Sequence, residues 1–134
     1  MDGWSLTLRE ADGSAPTHTV ELNVDGTRVV CPAVSLEART ASCSDSVGLQ
    51  LVDEVMCEEH VSSNGDRSQV CTPTGRFEEM VLVNGRPAEV VVALRDDGAL
   101  TDQRTFEPRY EAAQPNGPDC GPICHQASDQ WDLP

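Results

Sequence analysis

Apolar residues recur at every second position in short bursts along this chain, the spacing of half-buried β-strands. Trp4, Leu6 and Leu8 alternate with Ser5, Thr7 and Arg9, and Asp12-Gly13-Ser14-Ala15-Pro16 breaks the run. Val20, Leu22 and Val24 alternate next and lead straight into Asp25-Gly26, a two-residue hairpin signal. Pairing across that turn sets Val24 opposite Thr27, Leu22 opposite Val29 and Val20 opposite Cys31. Cys31 thereby shares the apolar face. Residues 33–46 lack a clean period, and 34–39 reads as a short helical turn or an irregular crossing. Val47, Leu49 and Leu51 resume the alternation and continue into Val55-Met56-Cys57.

Two further hairpins are expected. Cys57 and Cys71 are equidistant from Asn64, and Ser63-Asn64-Gly65 suits a three-residue loop with Gly65 left-handed. Ser62 then faces Asp66, and counting outward sets Cys57 opposite Cys71. That pair falls at a non-hydrogen-bonded site, where Cα atoms approach to about 4.5 Å, a separation a disulfide accepts. Asn84-Gly85 predicts the other hairpin, with Phe77, Val81 and Val83 sharing one face with Ala88, Val90, Val92 and Leu94. Glu79 is the misfit on that face, and Pro87 places the stretch at an edge or bulge. Asp96-Asp97-Gly98 ends the strand. Phe106, Pro108, Tyr110 and Ala112 fall on one face, residues 114–124 are turn chemistry throughout, and Ala127, Trp131 and Leu133 share a side of a closing strand. Seven to eight short strands with no long helix predict an all-β fold, an antiparallel β-sandwich, in a single domain over residues 1–134.

Composition narrows the function. The 134 residues hold 23 acids against nine Arg and no Lys, a formal charge of −14. Such a chain repels phosphate backbones and anionic lipid, so neither nucleic acid nor a membrane surface is the expected partner. Lacking Lys, it has no lysine nucleophile or Schiff base. No apolar run approaches the ~20 residues that span a bilayer. With only five aromatics, Val and Leu must fill most of the core.

The six cysteines are an even number, as in disulfide scaffolds of oxidising compartments. Hairpin register sets Cys57–Cys71, and the remaining four are expected to pair locally as Cys31–Cys43 and Cys120–Cys124. Met1-Asp2-Gly3-Trp4 lacks the basic and apolar pattern of a leader. Export therefore implies a leader removed from a precursor, which could also carry a lipid anchor.

Phe106-Glu107-Pro108-Arg109-Tyr110, followed by Pro115-Asn116-Gly117-Pro118-Asp119-Cys120-Gly121-Pro122-Ile123-Cys124, resembles the C-terminal strand pair of short exported Ig-like β-sandwich proteins from GC-rich Gram-negative bacteria. Many of these are lipoproteins of no assigned function. The resemblance implies export and an Ig-like sandwich, and it brings no catalytic residues. The lipobox cysteine of such lipoproteins is absent from the sequence.

Candidate chemistry is sparse. His18, His60 and His125 fall in neither H-E-x-x-H nor any other recognised catalytic motif, and G-x-S-x-G is absent. No catalytic residue and no cofactor is expected. Cys120-Gly-Pro-Ile-Cys124-His125 is one residue longer than a c-type haem attachment, and zinc on Cys120, Cys124, His125 and His60 is a weaker reading than a disulfide. Asp96, Asp97 and Asp102 could offer carboxylates to Ca²⁺, though their spacing departs from the EF-hand loop and suits a plain turn. Pro115, Asn116, Gly117, Pro118, Gly121, Pro122 and Ile123, closed by a Cys120–Cys124 ring, form the candidate recognition loop. The expected function is a non-catalytic exported binding or structural module at the cell envelope, in the periplasm, or secreted, with a protein or cell-surface partner. The alternatives are an inhibitor of a secreted hydrolase presenting Gly121-Pro122-Ile123 and a calcium-dependent adhesion module.

Overall fold

A computed structural model of the chain describes residues 2–113 and 124–133. Among the described residues there are ten strands and no helix: β1 (Gly3–Arg9), β2 (Thr19–Val24), β3 (Thr27–Val30), β4 (Thr40–Ser42), β5 (Val47–Val61), β6 (Arg67–Asn84), β7 (Val90–Asp96), β8 (Ala99–Phe106), β9 (Glu111–Ala113) and β10 (Cys124–Asp132). They form a six-stranded sheet in the order β4-β5-β6-β1-β10-β9 and a four-stranded sheet in the order β3-β2-β7-β8. All strand pairs are antiparallel except β1 with β10, which is parallel.

The expected all-β, sandwich-like fold is present, with more strands than the seven to eight predicted. The additions are short or lack alternation. β4 has three residues, and β8 buries only its last, Phe106.

The inner faces carry the core. Trp4, Leu6 and Leu8 of β1, Val47 and Leu49 of β5, Val81 and Val83 of β6 and Trp131 of β10 line one side. Val20 and Leu22 of β2, Val90, Val92 and Leu94 of β7 and Phe106 of β8 line the other. Full burial of such an aliphatic side chain is worth about 1.5–3 kcal/mol, so this interface dominates stability. Phe106 bridges the sheets, its ring 5.5 Å from Trp4 and 6.1 Å from Trp131. The Trp4 indole N–H donates to Asp129 Oδ2 at 2.8 Å, so the buried ring keeps its polar bond.

The first hairpin has the expected register, with Val24 opposite Thr27 and Leu22 opposite Val29. Cys31 N–H donates to Val20 O at 3.0 Å. Asp25 (φ 48°) and Gly26 (φ 90°) supply the two left-handed residues of a type I′ turn. Cys31 and Cys43, just beyond the edge strands β3 and β4, are joined with Cα atoms 4.5 Å apart. This bond ties one sheet to the other along an open edge of the sandwich.

The hairpin expected at Asn84-Gly85 does not form. β6 is already paired on both sides, with β1 and with β5, so no edge remains for β7. The chain instead crosses to the other sheet. Asn84 N–H donates to Ser46 O, Gly85 N–H to Asp2 O, and the Asp25 carboxylate accepts from the amides of Ala88 and Glu89. The apolar positions read from the sequence are still buried, but Val81 and Val83 meet Val90 and Val92 across the core rather than beside them in one ribbon.

Candidate functional site

β5 and β6 are much longer than the sheet that holds them, 15 and 18 residues. From Val47 to Leu51, β5 alternates buried and less buried positions against the core. A register shift between Asp53 and Val55 then ends the packing, and every residue from Val55 to Arg76 is exposed. The two strands continue as a ribbon with no second layer beneath it among the described residues. Cys57 opposite Cys71 is as expected, with Cα atoms 4.0 Å apart and a disulfide between them.

The ribbon's ends are ordered by hydrogen bonds that its sequence supplies. At the tip, Ser62 N–H donates to Asp66 O at 2.8 Å, Gly65 N–H to Ser62 O at 3.0 Å and Asp66 N–H to Asn64 Oδ1 at 3.2 Å. Gly65 takes the left-handed conformation (φ 89°) that the loop requires. At the root, Phe77 N–H donates to Gly13 O and Arg76 Nη2 to Ala11 O. Between these ends Val55, Met56, Val61 and Val70 are 50%, 64%, 62% and 49% exposed, half of the large apolar side chains left in solvent among the described residues. A projecting, crosslinked strand pair with apolar side chains in water is a surface built for contact. Sequence reading placed the Cys57–Cys71 register but missed the projection; its signal is the loss of alternation after Leu51.

Glu79 is explained by a partner far away in the chain. Its carboxylate, 3% exposed, lies 2.8 Å from His18 Nε2, and Glu10 Oε1 lies 3.3 Å from His18 Nδ1. Burial pulls the His18 pKa down, but hydrogen bonding and charge from Glu79 and then Glu10 outweigh it, leaving it above its ordinary value. Glu10 follows β1 and Glu79 sits on β6, whereas His18 leads into β2. The cluster is thus an ionic clamp between the sheets at the same end as the ribbon's root.

The other sequence candidates fall as follows. Pro115, Asn116, Gly117, Pro118, Cys120, Gly121, Pro122 and Ile123 lie outside the described residues; Cys124 is disulfide-bonded. Ala113 and Cys124, which flank that loop, pair with each other at the end of the six-stranded sheet away from the ribbon. Asp97 (φ 51°) and Gly98 (φ 83°) form the β7–β8 turn, with Asp96 opposite Ala99 and Asp102 opposite Leu94. Among the described residues no group of three or more His, Cys, Asp or Glu converges as a metal site. His60 faces Ser68 on the ribbon as expected, its Nε2 3.9 Å from a Glu58 oxygen. The backbone N–H of His125 donates to Asp2 Oδ1 at 2.7 Å, and this bond, with Arg86 nearby, holds Asp2 below the usual carboxylate range. A solvent-open depression of about 500 Å³ on the six-stranded sheet is bordered by Ser5, Leu82, Gln126, Arg109 and Glu111. No helix among the described residues is long and apolar enough to cross a membrane.

Comparison with family models, with curated proteins and with solved structures finds no match to this chain.

Proposed function

We propose that this chain is an exported, non-catalytic Ig-like β-sandwich that binds a protein partner at the cell envelope, in the periplasm or outside the cell, through its projecting β5–β6 ribbon. The observation that carries this reading is the ribbon itself: a disulfide-closed strand pair, exposed from Val55 to Arg76, with Val55, Met56, Val61 and Val70 in solvent. The disulfides support the extracytoplasmic part of the reading, because such crosslinks persist where thiols are not continually reduced. The Cys31–Cys43 bond between the sheets supports the Ig-like part, together with the two packed sheets. The loop at residues 114–124 is a second recognition element, flanked by residues at the opposite end of the sheet.

Cell fractionation combined with thiol alkylation of the native protein tests this. We expect the protein outside the cytosol, with no alkylation until reductant is added. Recovery from the cytosol with all six cysteines reactive would end the export reading.

A further inference from the structure

The hydrogen bonds at the two ends of β5 establish which of its backbone groups face outward. Leu51 N–H donates to Arg39 O at 2.7 Å, away from β6, and Val47 O accepts from Cys43 N–H at 2.9 Å. Odd-numbered residues therefore turn their peptide groups toward the β4 side. At the tip, Ser62 N–H donates across the ribbon to Asp66 O, so even-numbered residues face β6. The two ends agree, as the alternation of an antiparallel ladder requires. Val55, Cys57, Glu59 and Val61 thus present their N–H and C=O groups along one edge.

That edge continues the one β4 covers closer to the core. β4 pairs only with Gly48 to Gln50, and the chain before it turns away at Arg39. The opposite edge of the ribbon is interrupted. Its outward residues are Arg67, Gln69, Cys71 and Pro73, and Pro73 has no N–H to offer an added strand. β5 from Val55 to Val61 contains no such block.

The side chains beside the free edge define what suits it. Residues 53–61 include Asp53, Glu54, Glu58 and Glu59 and neither Lys nor Arg. Although Arg39, Arg76 and Arg67 pair with Asp53, Glu54 and Glu59, the ribbon from 53 to 76 still holds five acids against two arginines. Odd positions place Val55, the Cys57–Cys71 bond, Glu59 and Val61 on one face, and even positions place Glu54, Met56, Glu58 and His60 on the other. A second copy of the chain would bring another formal charge of −14 to this edge, which opposes self-pairing.

Resting on the ribbon reading above, we propose that β5 from Val55 to Val61 accepts an added strand, supplied by an extended segment of another protein in which basic and apolar residues alternate. Main-chain hydrogen bonds would hold the segment, and the alternation would set apolar residues against Val55 and Val61 and basic ones against Glu54 and Glu58.

The test uses the full chain and a fluorescent peptide of alternating Lys and Val. Binding is followed by anisotropy, with a Glu-Val peptide as the charge control. We expect saturable binding of the Lys-Val peptide alone, accompanied by new amide protection at Val55, Glu59 and Val61. Glu59→Pro deletes one outward donor while leaving the ribbon's backbone ladder, and should weaken binding about tenfold beyond Glu59→Gln, which likewise removes the charge that pairs with Arg67. Absence of saturable binding, equal binding of the Glu-Val peptide, or equal affinity of Glu59→Pro and Glu59→Gln would overturn the proposal. Self-association that Glu59→Pro abolishes would overturn the choice of occupant. Each of these results leaves the export reading standing, because thiol reactivity and location decide that separately.

Discussion

β5 and β6 run through two environments, and the contrast separates what holds this protein together from what it presents. Between Val47 and Leu51, and again between Glu79 and Val83, alternate side chains reach a core shared with the four-stranded sheet. From Val55–Pro73 to Val61–Arg67 the same two strands keep their pairing, yet every residue from Val55 to Arg76 is exposed. In the body, hydrogen bonding is backed by apolar burial, by the Cys31–Cys43 link between sheets and by the His18 clamp. In the ribbon, the ladder and Cys57–Cys71 are supplemented, among the described residues, only by solvent-exposed hydrogen bonds and ion pairs, and an isolated two-stranded hairpin is marginal in water. One strand pair thus joins a self-sufficient fold to an extension that depends on its crosslink.

The largest effects should come from the body. Leu6→Ala opens a cavity at a position 0% exposed and should cost about 3–4 kcal/mol in chemical denaturation. Replacing Cys31 and Cys43 together by Ser should cost about 3 kcal/mol, since their crosslink constrains the unfolded chain as well as the edge of the sandwich. His18→Ala leaves Glu79 buried without its partner and should cost about 2 kcal/mol at acidic pH.

The clamp has a defined pH dependence. An unfolded histidine titrates near pH 6.5, and folding raises the His18 pKa above that. Its stabilisation is therefore complete below about pH 6.5 and is lost as pH rises through the higher folded value, so the wild type should lose this part of its stability on the alkaline side while His18→Ala shows no such slope. Glu10 and Glu79 are the carboxylates that face the imidazole.

Ribbon changes should be the smallest in global terms. Replacing Cys57 and Cys71 by Ser should lower the body's stability by less than about 1 kcal/mol, because the ribbon can open while the core stays closed. Val70→Ser should be neutral within about 0.5 kcal/mol. If either ribbon change destabilised the body as much as Leu6→Ala, the contrast between the regions would be wrong.

How much of this was legible depended on how local each determinant is. The β2–β3 register and the facing of Cys57 and Cys71 follow from short turns, and both could be counted from the sequence. Asn84-Gly85 carries the same kind of turn signal but serves a crossing, because β1 and β5 occupy both edges of β6, and β1 lies far back in the chain. β8 could not be read from periodicity: seven of its eight residues are exposed, and backbone pairing with β7 alone makes it a strand. Its turn, Asp97-Gly98, was readable as a loop but not as a hairpin without a visible second strand. Glu79 was legible as an anomaly in an apolar face, whereas its partner His18 is 61 residues away and sits in no motif. For the same reason the site was only half visible, since the disulfide of the ribbon is local and its lack of a covering layer is not.

Residue-resolved amide hydrogen exchange of the wild type and of the chain with Cys57 and Cys71 replaced by Ser is the most direct measurement. If the ribbon depends on its crosslink and the sandwich does not, the variant should lose protection at the inward amides of Met56, Glu58, His60, Ser68, Val70 and Thr72 while Leu6, Leu22, Val81 and Val92 stay as protected as before. Retained protection along the ribbon, or collapse of protection in the body, would contradict that division.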